Sequence, residues 1–217
     1  MALPTVISAC AIARVTLKST VAANVGDLIG HDGTDWVLAD ADGRIPASYV
    51  AMESVTAGSS VQVCVAGTLT DTDAPYTAGA DQYLSATAGV HTATIPAISA
   101  TLTVIQRVGK ALTTSEMSFD LSRRGPTQLR GQVTYDPASL AAATARSDTA
   151  TLTGLLTTDV IRGVHTAVIT GTGWDGGLVI QGLDVSSANT LRVRLTNPTA
   201  GALDGASVTL DVYVDRP

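Results

Sequence analysis

Turn-forming residues cut the stretch from Tyr76 to Leu121 into short extended pieces, and that spacing leaves little room for anything but β-structure. Gly79, Gly89, Pro96 and Gly109 punctuate it. Between them lie the β-prone pieces Tyr83-Leu84-Ser85, Thr101-Leu102-Thr103-Val104-Ile105 and Ala111-Leu112. Pro96 cannot donate to a ladder, so it ends a strand rather than sitting in one. Gly109 marks a bulge or a close approach of two backbones.

The same rhythm runs upstream. Val6 to Lys18 reads as an extended arm passing into a first strand, with Val15 and Leu17 alternating against Arg14, Thr16 and Lys18. Trp36-Val37-Leu38 is a short strand between Asp-rich turns, and Gly43-Arg44-Ile45-Pro46 is a turn. Tyr49 to Glu53 and Ser60 to Ala66 flank a reversal at Gly58, with Val61, Val63 and Val65 on one face. Downstream, Arg123-Arg124-Gly125-Pro126-Thr127-Gln128-Leu129-Arg130-Gly131 has the composition of a linker. Ser139 to Arg146 is the one plausible helical turn, although it could also lead straight into the strand at Thr149 to Gly154. Thr190 to Leu195 and Ser207 to Val214 alternate as half-buried antiparallel strands, with a turn at Asn197 to Ala202 between them.

Composition supports the same class. Aromatic residues make up 4% of the 217, and the apolar share is mostly Ala and Val, which fill thin layers but bury little area each. A modest core of this kind leaves stability to be completed by association with other chains. Asp outnumbers Glu by 17 to 2, and Asp favours turns over helices. The net charge of −6 divides into −6 over residues 1–122, +3 over 123–131 and −3 over 132–217. No basic stripe able to neutralise phosphates is present, so nucleic acid is not an expected partner. Cys10 and Cys64 are read as two reduced, buried side chains. Ile7-Ser8-Ala9-Cys10 superficially resembles a lipoprotein cleavage site, but no charged segment precedes it and Pro4 and Ser8 break the apolar run. With no membrane-length apolar run elsewhere, the expectation is a product of the cytoplasm without membrane contact.

Chemistry-bearing patterns are sparse. Asp40-Ala41-Asp42-Gly43 resembles the start of a calcium loop, yet Arg44 and Ala51 stand where that loop needs oxygen ligands, so solvated turns are expected. His31, His91 and His165 share no metal-ligand spacing, and the cysteines lack a CxxC partner. No nucleophile elbow, His-Glu-x-x-His motif or phosphate loop occurs. The chain is read as a non-enzyme with no catalytic, cofactor or metal site. Trp174, in Gly171-Thr172-Gly173-Trp174-Asp175-Gly176-Gly177, is either an exposed ligand contact or an anchor for a glycine-rich loop. Arg123, Arg124 and Arg130 are candidates for docking on an acidic neighbour, as against a solvated hinge.

Two segments carry a resemblance. Ala78-Gly79, Tyr83-Leu84-Ser85, Gly89, Pro96, Val108-Gly109-Lys110-Ala111-Leu112 and Phe119 together resemble the small β-domain of tailed-phage capsid decoration (cement) and head-fibre proteins. Asp159-Val160-Ile161-Arg162-Gly163-Val164, Val185 to Thr190, Arg192 to Asn197 and Leu203-Asp204 resemble the C-terminal β-sandwich module of phage structural proteins.

The resemblance implies an all-β chain with an N-terminal arm and first strand over 1–25. A small β-barrel or β-tulip-like decoration domain over 26–122, a linker over 123–131 and an antiparallel β-sandwich over 132–217 would follow. It further implies a homotrimer on the outer surface of the virion, made in the host cytoplasm, whose partner is the major capsid protein. It would bridge capsid subunits and stabilise the expanded head. Leu3, Val6, Ile7 and Ile12 would then form the interface strand, adding to a capsid edge. The alternatives are a head or tail fibre subunit and, from another class, a carbohydrate-binding sandwich with Trp174 at its site.

Overall fold

The structure, a computed structural model of the chain, describes residues 5–10, 13–71, 76–122, 127–166, 174 and 177–217, with the backbone alone at 5–10, 165 and 166. The strands in chain order are β1 (Thr5–Cys10), β2 (Ala13–Thr16), β3 (Leu28–His31), β4 (Trp36–Leu38), β5 (Ala47–Ala51), β6 (Ser60–Cys64), β7 (Ala66–Thr70), β8 (Asp81–Leu84) and β9 (His91–Thr92). There follow β10 (Thr103–Val104), β11 (Arg107–Ala111), β12 (Glu116–Asp120), β13 (Thr127–Tyr135), β14 (Thr144–Thr151), β15 (Val160–Thr166), β16 (Val179–Ser187), β17 (Thr190–Asn197) and β18 (Val208–Arg216). Among the described residues there is no helix, and the chain is all-β. Four sheets form, and none of them closes into a barrel.

The chain divides into two compact units, residues 1–97 with 104–127, and residues 98–103 with 128–217. The first unit holds a five-stranded sheet in the order β2-β6-β5-β3-β4 and a six-stranded sheet in the order β1-β7-β12-β11-β8-β9. Val15, Leu17, Ile29, Ala51, Val61 and Val63 make the core of the five-stranded sheet, with Trp36, Leu38 and Tyr49 packed against it. Val61 and Val63 share the buried face that the alternation predicts, whereas Val65 lies in the bend beyond the end of β6. The two sheets are tied by polar bonds as well as by packing. Gln106 accepts from Ala47 N at 2.7 Å and donates back to Ala47 O at 2.9 Å. The turn at Gly89 accepts from Leu28 N at 2.8 Å and donates to Ala39 O at 2.7 Å.

Glycine positions on the six-stranded sheet follow from close approach. Gly109 lies between Phe119 of β12 and Gln82 of β8, and the ladder to β8 slips a residue between Arg107 and Gly109. A Cβ there would collide with the backbone oxygen of Ser118. Both readings of this glycine, bulge and close approach, are realised together.

The second unit holds a sheet in the order β10-β13-β18-β15 and another in the order β14-β17-β16. Leu129, Val133 and Tyr135 of β13, Val208, Leu210, Val212 and Val214 of β18, and Leu191, Val193 and Leu195 of β17 are buried at alternate positions. Asn197 continues the inward series and is fully buried. Its Nδ2 donates to Leu140 O at 2.9 Å and Gly201 O at 2.8 Å, and its Oδ1 accepts from Thr199 N and Oγ1.

Several boundaries differ from the sequence reading. Residues 5–10 are not a free arm: β1 pairs antiparallel with β7, from Thr5 opposite Thr70 to Cys10 opposite Ala66. Within the expected linker, residues 127–131 open β13, and Gly131 is buried where a Cβ would come within 2.6 Å of Leu152 Cδ1. Arg130 is part of that strand, donating to Tyr213 Oη at 2.8 Å with its guanidinium over the Tyr213 ring. The expected helical turn over 139–146 does not form. Leu140 pairs with Leu203, Ala143 N donates to Thr199 O and Ala143 takes a φ of 51°, so this backbone bonds across to the 199–203 loop instead of to itself.

Two outcomes follow. Replacing Asn197 by Leu keeps the volume but strips the partners from several buried carbonyls and an amide, and should cost about 2–4 kcal/mol in chemical denaturation. Because residues 98–103 belong to the second unit, with Leu102 N bonded to Thr153 O, a fragment of residues 128–217 should unfold at clearly lower denaturant than one that begins at residue 98.

Candidate functional site

The sequence-predicted contacts fall in different places. Leu3, Ile12, Arg123 and Arg124 lie outside the described residues. Val6 and Ile7 are in β1, at the margin of the six-stranded sheet, and the register slips between Val6 and Ser8 around Ile7. Trp174 is not an exposed platform. It is 8% exposed, its indole nitrogen donates to Ala206 O at 2.6 Å, and its ring packs where Gly205 leaves room. The loop-anchor alternative describes this tryptophan, because a buried indole N–H needs an acceptor and finds one in a backbone carbonyl.

The Asp-rich turns spend their carboxylates on backbone amides. Asp32 accepts from Thr34 N and Asp35 N, which holds its carboxyl below the ordinary range. Asp40 accepts from Gly43 N, and burial, with Asp42 beside it, pushes its carboxyl up. Among the described residues, no three His, Cys, Asp or Glu side chains are grouped to hold a metal ion.

Trp174 also lines an open cleft of about 550 Å³ between β15 and β16 in the second unit. Ile161 and Val164 of β15 and Ile180, Leu183 and Val185 of β16 point inward by register, yet all are only half-buried. Their partners one strand further in, Val212 and Val214 on one sheet and Leu191, Val193 and Leu195 on the other, are fully covered. The cleft thus follows from β15 and β16 being the last strands of their sheets. Bulges beside Gly163 and Gly182 shape its rim. Sequence reasoning missed it, and the one signal available was a glycine in each otherwise apolar strand pattern.

A second grouping, also missed, lies in the first unit. His91 of β9 is placed between Tyr76 and Gln82, with Nε2 3.4 Å from Tyr76 Oη and Nδ1 3.3 Å from Gln82 Oε1. The Tyr76 and His91 rings stack 5.5 Å apart. Burial pushes the imidazole below its ordinary value, opposed by the charge of Asp71, and pushes the Tyr76 phenol up to about 12.

Compared with family models, curated proteins and solved structures, the chain matches none.

One ion pair among the described residues is buried and structural. Asp159, whose side chain is fully covered, receives Arg216 Nε and Nη2 at 2.8 Å each, and Arg216 Nη2 also donates to Gly154 O. Arg216 is 21% exposed, so replacing it with Met should cost about 3 kcal/mol, the low end for stranding a buried charge. Arg162 is exposed where it meets the largely covered Asp215, so replacing Arg162 with Met should lower the denaturation midpoint less than replacing Arg216 does.

Proposed function

We propose that this chain is a non-enzymatic structural protein of a tailed-phage virion, bound to the outer capsid surface as a homotrimer, where it bridges major capsid subunits and stabilises the expanded head. The observation that carries the reading is the position of β1. An uncharged six-residue strand, Thr5–Cys10, ends the six-stranded sheet, and no strand covers its outer side among the described residues. Such an edge offers backbone donors and acceptors to another chain, without the Lys or Pro that normally discourages pairing. The all-β architecture with open sheet margins fits a part whose task is to bind and brace.

In this reading the first unit, with its two open sheets, is the decoration domain and the second is the β-sandwich. Binding is mechanical: main-chain bonds along β1 extend the sheet onto a capsid edge. Ordered backbone costs about 1–2 kcal/mol per residue, so side chains must be buried at the junction as well. The burial of Trp174 argues against the carbohydrate-binding alternative in the form that placed its site there.

Sedimentation at micromolar concentration should give a trimer, and a compact monomer would contradict the reading. Mixed with expanded, undecorated heads of the phage that encodes it, the intact protein should co-sediment with them. A variant lacking residues 2–10 should stay folded in its second unit and lose at least tenfold in head binding. Unchanged binding would remove β1 from the mechanism.

A further inference from the structure

The β8–β9 hairpin is one of the places where the two sheets of the first unit are fastened, and a histidine packs against it. Its connecting turn bonds to the five-stranded sheet through Gly89, on Leu28 and Ala39, and through Ser85 O, which accepts from Ala41 N at 3.0 Å. The strand β9 has only two residues, so its two ladder positions, Leu84 with His91 and Tyr83 with Thr92, give it little hold of its own. What remains is the side-chain cluster. Gln82 is 2% exposed and Tyr76 is 7% exposed, and His91 lies between them.

The cluster suits a neutral imidazole. A Gln oxygen can only accept, so Nδ1 carries the proton and donates to it, and Nε2 accepts from the Tyr76 hydroxyl. A second proton on the ring would sit at Nε2 and donate to the phenol oxygen, which reverses the bond and leaves the proton of the buried Tyr76 hydroxyl without its acceptor. Gln82 Nε2 is already buried without a partner and cannot accept anything, so the cluster has no spare acceptor of its own. The surrounding charges offer limited relief. Asp71, after β7, favours the proton. Asp81 of β8, Arg107 and Lys110 of β11 and Glu116 of β12 lie on the opposite, outer face of the sheet by register, and Arg107 is paired with Asp81 at 2.8 Å. Asp27 packs at Gly89 on the turn, where burial raises its own carboxyl.

We propose that the Tyr76–His91–Gln82 cluster is an acid-operated latch, in which proton uptake by His91 releases the β8–β9 hairpin and loosens the joint between the two sheets of the first unit. The direction follows from linkage. His91 binds its proton more weakly in the fold than in the open chain, so the stabilisation is complete above the open-chain value of 6.5 and is lost as pH falls through and below it. The released form exposes Tyr76, Gln82 and the ladder edge of β8.

Hydrogen exchange on the full chain, corrected for intrinsic rates, reads this directly. Between pH 7.5 and pH 5.0, amide protection across residues 82–92 should fall at least tenfold, while β17 and β18 keep theirs. In His91→Phe, which keeps a ring against Tyr76 and cannot take a proton, the difference should vanish. Should that variant fail to fold, His91→Gln is read in the same way. Unchanged protection in the wild type, or the same loss in the variants, overturns the latch. So does an imidazole titration of His91 by NMR with its midpoint at or above 6.5.

Discussion

The sheets of this protein pack Leu and Val side chains between them, and at two joints carboxamides also clasp the backbone of a neighbouring segment. Gln106 makes two bonds to the Ala47 peptide, which fixes the start of β11 against β5. Asn197 gathers the 140–141 and 199–201 segments at the end of β17. Each replaces water on backbone groups that burial would otherwise leave unpaired. An aliphatic side chain of the same volume would fill the space and leave those groups stranded. The fold therefore depends on a few directional bonds set among many weak apolar contacts.

Close packing governs the glycines as well: at Gly109 a Cβ would strike the Ser118 backbone, and at Gly131 it would strike the Leu152 side chain. Where two sheets end together, as at β15 and β16, no further strand covers the inward Ile, Val and Leu side chains among the described residues, and a cleft results. Edges of this kind are what an assembling protein has to offer. The β1 edge and the His91 cluster lie at opposite margins of the six-stranded sheet.

Much of the strand pattern was legible in the order of residues. Turns at Gly58, Gly79 and Gly89 adopt the positive φ that glycine permits, at 76°, 82° and 79°. The alternation of Thr190 to Leu195 and Ser207 to Val214 appears as β17 and β18 with inward Leu and Val. The failures share a cause. The Ala run before Arg146 favours helix locally, but its amides and carbonyls are claimed by the 199–203 loop, some sixty residues away. The Pro- and Gly-containing stretch after Arg123 looks like a linker, yet from Thr127 onward it is a strand whose partner β18 lies at the far end of the chain.

What the order of residues determined by itself was local: short strands, their turns and the inward face of each. These depend on side-chain period and on φ, which neighbours along the chain control. Tertiary structure alone decided that residues 98–103 serve the second unit while 104–127 return to the first. It alone brought Tyr76, Gln82 and His91 to one point, and buried Trp174 against Ala206. These outcomes hinge on which strand lies beside which, a choice made by hydrogen bonds and burial between segments far apart in the chain, and no local pattern encodes it.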